Sequence, residues 1–147
     1  MDNLEVHLTV TVLESGIIIY RLGTFNFATV EAWITQGLAD DQVALAQGLP
    51  RCSLIDISQA GYPTPYFLRR VTEATKLTPP GLPEAFAVVT ANSGVLALIP
   101  HLMTLLPIKY QQDTRFFAAN QQAEAITWLE ARYRQFAEDS KSTPSSA

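Results

Sequence analysis

The chain is poor in the residues from which most catalytic and metal centres are built. It holds one cysteine, Cys52, and two histidines, His7 and His101, among 147 residues. A lone cysteine excludes an intramolecular disulfide, and with two histidines it cannot complete a closed zinc site. Charge is scarce too: 16% of residues are charged, against about 25% in an ordinary soluble domain. Ten Lys and Arg against 14 Asp and Glu give a net charge of -4. That balance excludes the basic face with which a nucleic-acid binder displaces counterions from phosphates. The sequence has no G-x-x-x-x-G-K-[ST] phosphate loop, no H-E-x-x-H and no C-x-x-C pair.

Long apolar runs are missing as well. The longest apolar-rich stretch, Val95 to Ile108, is interrupted by His101, Thr104 and two prolines, and is shorter than the roughly 20 residues of a membrane span. Integral membrane association is therefore not expected. The start, Met1-Asp2-Asn3-Leu4-Glu5, is acidic and polar, unlike a secretory leader, and a cytoplasmic protein is expected. What the chain has in quantity is core material: 48% of its residues are hydrophobic, enough for one ordinary domain. A single domain over 1–139 is expected, followed by a small, polar, disordered tail over 140–147.

The pattern along the chain alternates strands and helices. Val6, Leu8, Val10 and Val12 share one face of a half-buried strand. Glu14-Ser15-Gly16 is turn chemistry, and Ile17 to Leu22 returns as the second strand of an antiparallel hairpin. Val30, Trp33, Ile34, Gly37 and Leu38 recur at helical spacing, with Asp40-Asp41 as a solvated helix end. Residues 42–51 fit either a helix continuing past a break or a loop ending at Pro50. Cys52 to Ser58 is an apolar strand buried on both faces. Thr64-Pro65 is a cap followed by proline at the first helical position, opening a helix that buries Phe67, Leu68 and Val71. Ala85 to Ala91 is the next strand, and Asn92-Ser93-Gly94 starts a third helix through about Leu106. Pro100 predicts a kink in it or a late start near Leu98. Arg115 to Ala119 forms the last strand, and Asn120 caps a terminal helix packing Ile126, Leu129, Tyr133 and Phe136. The order predicts an α/β domain: one mixed, mostly parallel sheet with an N-terminal antiparallel hairpin and about four helices.

With these elements in place, the chain resembles the SpoIIAA-like, STAS-type family, whose namesake domains include anti-sigma-factor antagonists. The likeness rests on the strand Leu54-Ile55-Asp56-Ile57-Ser58 ahead of a loop and helix, and on Ala87-Val88-Val89 directly before a helix. The ending Phe116-Phe117 with Ala123, Ala125 and Trp128-Leu129 completes it. The resemblance implies a non-catalytic regulatory or protein-interaction module. In anti-sigma-factor antagonists a phosphorylatable serine stands in a D-S-x-G stretch, and the matching positions here are Thr64-Pro65-Tyr66-Phe67. The serine, its preceding aspartate and the glycine are absent, so Thr64 is the one nearby hydroxyl, as a phospho-acceptor or a plain helix cap.

Two candidate surfaces follow from the residues. Ligands of open α/β sheets bind outside the carboxyl ends of parallel strands, which here present Asp56, Ser58, Asn92 and Ser93. Those residues form a small-molecule or anion edge, or simply cap helices and close turns. The third helix is apolar on nearly every side, and Leu96, Met103 and Leu106 are the residues expected to face a second subunit or a protein partner. Nucleophilic catalysis has little to work with, because neither histidine neighbours a serine or cysteine in sequence and Cys52 opens a buried strand. The leading expectation is a regulatory or interaction module, a homodimer joined through the third helix, with no cofactor. The alternative is a small-molecule binder or weak enzyme at the strand-end edge.

Overall fold

A computed structural model describes residues 5–142 of the protein. Its framework is one five-stranded sheet in the order β1-β2-β3-β4-β5. The strands are β1 (Leu8–Val12), β2 (Ile18–Leu22), β3 (Arg51–Asp56), β4 (Glu84–Thr90) and β5 (Thr114–Ala118). β1 is antiparallel to β2, and the other three pairings are parallel. Gly16, at φ 93°, supplies the left-handed residue that turns the hairpin. The helices are α1 (Phe27–Gln47), α2 (Pro65–Thr75), α3 (Ser93–Met103), α4 (Ile108–Asp113) and α5 (Gln122–Ser142). The α/β class and the mixed sheet with its leading hairpin are those read from the sequence.

The strand order decides how the helices are distributed. From β2 to β5 each parallel strand is added on the same side of the last. Right-handed crossovers between strands added in one direction all fall on one face of the sheet. α1, α2 and the α3–α4 pair therefore share that face, above Tyr20, Leu22, Ile55, Ile57, Phe86 and Val88. Among the described residues, the opposite face is left to α5 alone. There Ala85 and Ala87 leave room for the helix, and Ala125 and Leu129 pack fully buried against Ile19, Leu54 and Val89. Arg70 of α2 clasps Glu31 of α1 at 2.8 Å, and Tyr66 donates to the same carboxylate at 2.6 Å, tying the first two crossovers together.

Several elements differ from the sequence reading. β1 is an edge strand with no helix over most of it, so Val10 and Val12 are exposed instead of half-buried. α1 does not stop at Asp40-Asp41. It continues to Gln47 and ends at Gly48, at φ 68°, whose left-handed backbone lets Leu49 donate back to Ala44 before Pro50. Asp41 is thus buried within a helix and not a solvated end. α3 begins at Ser93, and Pro100 lies inside it, one turn or more past the start. A separate short helix, α4, follows Pro107 and was not expected; Tyr110 is its buried anchor. Asn120 lies exposed in a single 3-10 turn, and Gln121 supplies the capping side chain by accepting from the Ala118 amide at 2.9 Å. Ser140 still belongs to α5, while 143–147 of the expected tail lies outside the described residues. Among the described residues, no helix is long and apolar enough to cross a membrane.

Because α5 is the sole cover of its face among the described residues, Leu129→Ala is expected to cost about 2–5 kcal/mol. Urea denaturation followed by circular dichroism measures this, and a loss below about 1 kcal/mol would show that the α5 face is not one core.

Candidate functional site

Between the sheet and its three crossovers lies an apolar cavity of about 190 Å³. Its floor is formed by Ile55, Val88 and Phe116 from three adjacent parallel strands. Trp33 and Leu38 of α1 and Val71 of α2 make two walls, and the stacked rings of Trp33 and Phe67, 5.5 Å apart, close one end. Leu102, Met103 and Leu106, in and after α3, make the third wall. That wall is lightly held: Val95 is the one fully buried residue of α3, so the helix borders the cavity without being sunk into the core.

The other end of the cavity is polar and buried. Arg51, the first residue of β3, turns its side chain towards α1 and is 6% exposed. Gly37 makes this approach possible, since a Cβ there would stand 3.2 Å from the guanidinium. Arg51 Nη1 lies 2.9 Å from Asp41 Oδ1 and 3.2 Å from Glu84 Oε2, and Nη2 donates to the Tyr20 hydroxyl at 2.9 Å. The rings of Tyr20 and Phe86 flank the guanidinium at 5.4 and 5.5 Å. Glu84 in turn takes Lys109 Nζ at 3.3 Å and the Tyr110 hydroxyl at 3.1 Å. Asp40 accepts from Tyr20, and Thr78 shares a hydrogen bond with Tyr110.

Burial and mutual contact set the charge states of this cluster. Burial pushes the Asp41 carboxyl up to about 7; Arg51 opposes the shift, and the neighbouring Glu84 carboxylate reinforces it. Burial would lower Arg51, but Tyr20, Asp41 and Glu84 outweigh it and hold the guanidinium charged. Burial is also the main cause raising the Tyr20 and Tyr110 phenols above their ordinary range, so both remain hydrogen-bond donors. Among the described residues, Arg51 Nε and Ser53 Oγ are buried without a hydrogen-bond partner, and Asp41 Oδ1 is enclosed with its ion-pair contact to Arg51 Nη1 in place of a well-aligned hydrogen bond.

The residues singled out by sequence are placed elsewhere. Asp56 closes a turn, accepting from the Ser58 amide at 3.0 Å and the Ser58 hydroxyl at 2.6 Å, and pairs with Arg21 at 3.4 Å. Thr64 caps α2 by accepting from the Phe67 amide at 3.1 Å, and Asn92 caps α3 by accepting from the Gly94 amide at 2.8 Å. Ser93 is exposed in the first turn of α3. None of Asp56, Ser58, Thr64, Asn92 and Ser93 lines the cavity. The reason is topological: a strand-end crevice opens where the strand order reverses, and this order does not reverse between β2 and β5. Leu96, Met103 and Leu106 are half-buried, and the latter two face the cavity. Leu98, Leu105 and Ile108 are the exposed apolar residues of this region. Cys52 is buried on the α5 face, away from the cavity, and burial pushes its thiol up to about 12.

The sequence signal for the polar cluster was faint. Arg51 and Glu84 each stand at the first position of an otherwise apolar strand, where charge is normally read as the solvated border. Their pairing spans 33 positions. Comparison with protein-family models and with curated proteins returns no match.

Two outcomes test this description. Arg51→Met leaves the buried Asp41 carboxyl without a cation and Glu84 with Lys109 alone, and is expected to cost about 3–5 kcal/mol, measured by urea denaturation; a loss under about 1 kcal/mol would contradict the pairing. Asp41 holds its proton more tightly in the folded chain, at about 7, than unfolded, at about 3.9. Its contribution to stability is therefore full below about pH 4 and is lost as pH rises through about 7. Asp41→Asn should flatten the fall in melting temperature that the wild type shows across that window, and parallel curves for the two proteins would refute the assignment.

Proposed function

We propose that the protein is a non-catalytic regulatory module that takes up a small, mainly apolar molecule between its sheet and α1, α2 and α3. The observation that carries this is the cavity itself. Apolar cavities of about 150 Å³ stay dry and admit benzene, and this one is about 190 Å³ with three strands as its floor. The space is open to solvent along part of its rim, and a concave, mainly apolar lining with few polar groups is the usual form of a small-molecule site. The loosely anchored α3 wall gives an entry path and a readout, because a ligand against Met103 and Leu106 adds contacts that hold α3 to the sheet. The likeness to STAS-type domains supports the regulatory half of the proposal. The buried Cys52 on the opposite face and the exposed His7 and His101 offer no nucleophile–base pair at the cavity.

Titration of the protein with indole, followed by methyl NMR, tests the proposal. Shifts should concentrate on Val71, Val88, Leu102 and Met103. Ala74→Phe, which adds a ring to the cavity wall, should melt at or above the wild type and lose those shifts. Shifts absent from these methyls, or unchanged in a folded Ala74→Phe protein, would overturn it.

A further inference from the structure

We infer that β1 is the interface of a two-fold dimer, in which the β1 strands of two copies of this chain pair antiparallel and join their sheets into one. A free sheet edge is a row of unpaired amides and carbonyls, and proteins usually blunt it with charge, proline, a bulge or a cover. From Thr9 to Val12, β1 has none of these. Leu8 to Val12 holds no charged residue and no proline. Its register against Ile18 to Leu22 is unbroken, and Thr9 to Val12 are exposed. Among the described residues, β2 is its one strand neighbour. The far edge of the sheet is guarded, because Arg115 stands exposed in β5. β1 also lies away from the cavity, whose lining includes no residue of this strand.

Hydrogen-bond phase and sequence together select a second copy as the occupant. The Gly23 amide donates to the His7 carbonyl at 2.8 Å, and the Leu13 amide to the Ile17 carbonyl at 2.9 Å. The odd-numbered residues of this strand therefore bond to β2, and the amides and carbonyls of Leu8, Val10 and Val12 point away from it. Leu8-Thr9-Val10-Thr11-Val12 reads nearly alike in both directions about Val10. With the two-fold axis at Val10, Leu8 meets Val12 of the second copy and Val10 meets its own counterpart, each pair exchanging two hydrogen bonds. No outward group of the strand is left over. Thr9 then stands opposite Thr11 in the closer, non-hydrogen-bonded positions, a favourable cross-strand pair. The side chains of Leu8, Val10 and Val12 share the face of Tyr20 and Leu22, and Val10 and Val12 are 38% and 67% exposed. Pairing sets them in one apolar row, continuous with Leu8, which already packs against the core beneath α1. Head-to-tail pairing of β1 with β5 would instead set this row against Arg115 and would propagate without closing.

The test is sedimentation velocity of the full chain at about 1 μM and about 200 μM. The wild type is expected to reach twice the chain mass at the higher concentration. Val10→Pro removes the outward amide on the axis without touching the ladder to β2, and Val10→Lys sets two ammonium groups against each other across it. Both should halve the mass at that concentration, with circular dichroism melting showing that they fold. Leu98→Lys, on the exposed side of α3, should stay dimeric. Amide hydrogen exchange by NMR needs the wild type alone and decides the matter if the variants do not fold. The Leu8, Val10 and Val12 amides should exchange about tenfold or more slowly at the higher concentration. A monomeric wild type, a dimer that survives both Val10 variants, or one lost in Leu98→Lys alone would overturn the interface. So would exchange at these three amides that does not change with concentration.

Discussion

Four elements of the fold meet on one buried cation, and a fifth braces it through Glu84. Arg51 opens β3, and its guanidinium is held by Asp41 of α1, Tyr20 of β2 and Glu84 of β4, while Glu84 is held by Lys109 and Tyr110 of α4. Taking these charges out of water is costly, and their mutual attraction offsets the cost only when the geometry is complete. The cluster therefore acts less as a source of net stability than as a condition on register. α1 must present Asp41 above the start of β3, Gly37 must leave room one turn earlier, and β4 must begin beside β3 with Glu84 opposite Arg51. Once those positions are set, the first and third crossovers are pinned at the same end of the sheet, and the space between them is what remains as the cavity.

The one-directional strand order makes that space possible. Three crossovers share a face that the sheet's width does not fill evenly, and the third is a short apolar helix broken from α4 by Pro107. In a sheet whose order reverses, the opening would lie at the strand ends. Here those ends are closed by turn and cap hydrogen bonds from Asp56, Thr64 and Asn92, and the opening lies beneath the helices. The apolar residues that gave α3 its unusual composition divide accordingly: Met103 and Leu106 line the cavity, and Leu98 remains exposed on the outside.

Features set by near neighbours were legible in the sequence. Thr64-Pro65 and Asn92-Ser93-Gly94 signal helix starts because a cap is a contact across two or three residues, and the alternation of strands and helices is enough to give the sheet class. Features set by distant neighbours were not. Asp41 read as a solvated helix end because nothing local distinguishes it from one; its partner stands on another element, and a buried charge is recognised only beside its counter-charge. The Val6–Val12 alternation read as half-buried because periodicity reports a face but not whether anything covers it. α5 is taken up by the strands nearer the centre of the sheet, so β1 stays at the edge. The cavity has no sequence signature at all, since its lining residues are drawn from every crossover.

The central claim is that the space between the sheet and α1, α2 and α3 holds a small, mainly apolar molecule. A crystal structure of the protein grown with 1-octanol tests it most directly. The account predicts density for the alkyl chain along Val88 and Met103. A cavity closed by α3 collapsing onto the sheet, or holding only ordered water, would contradict it.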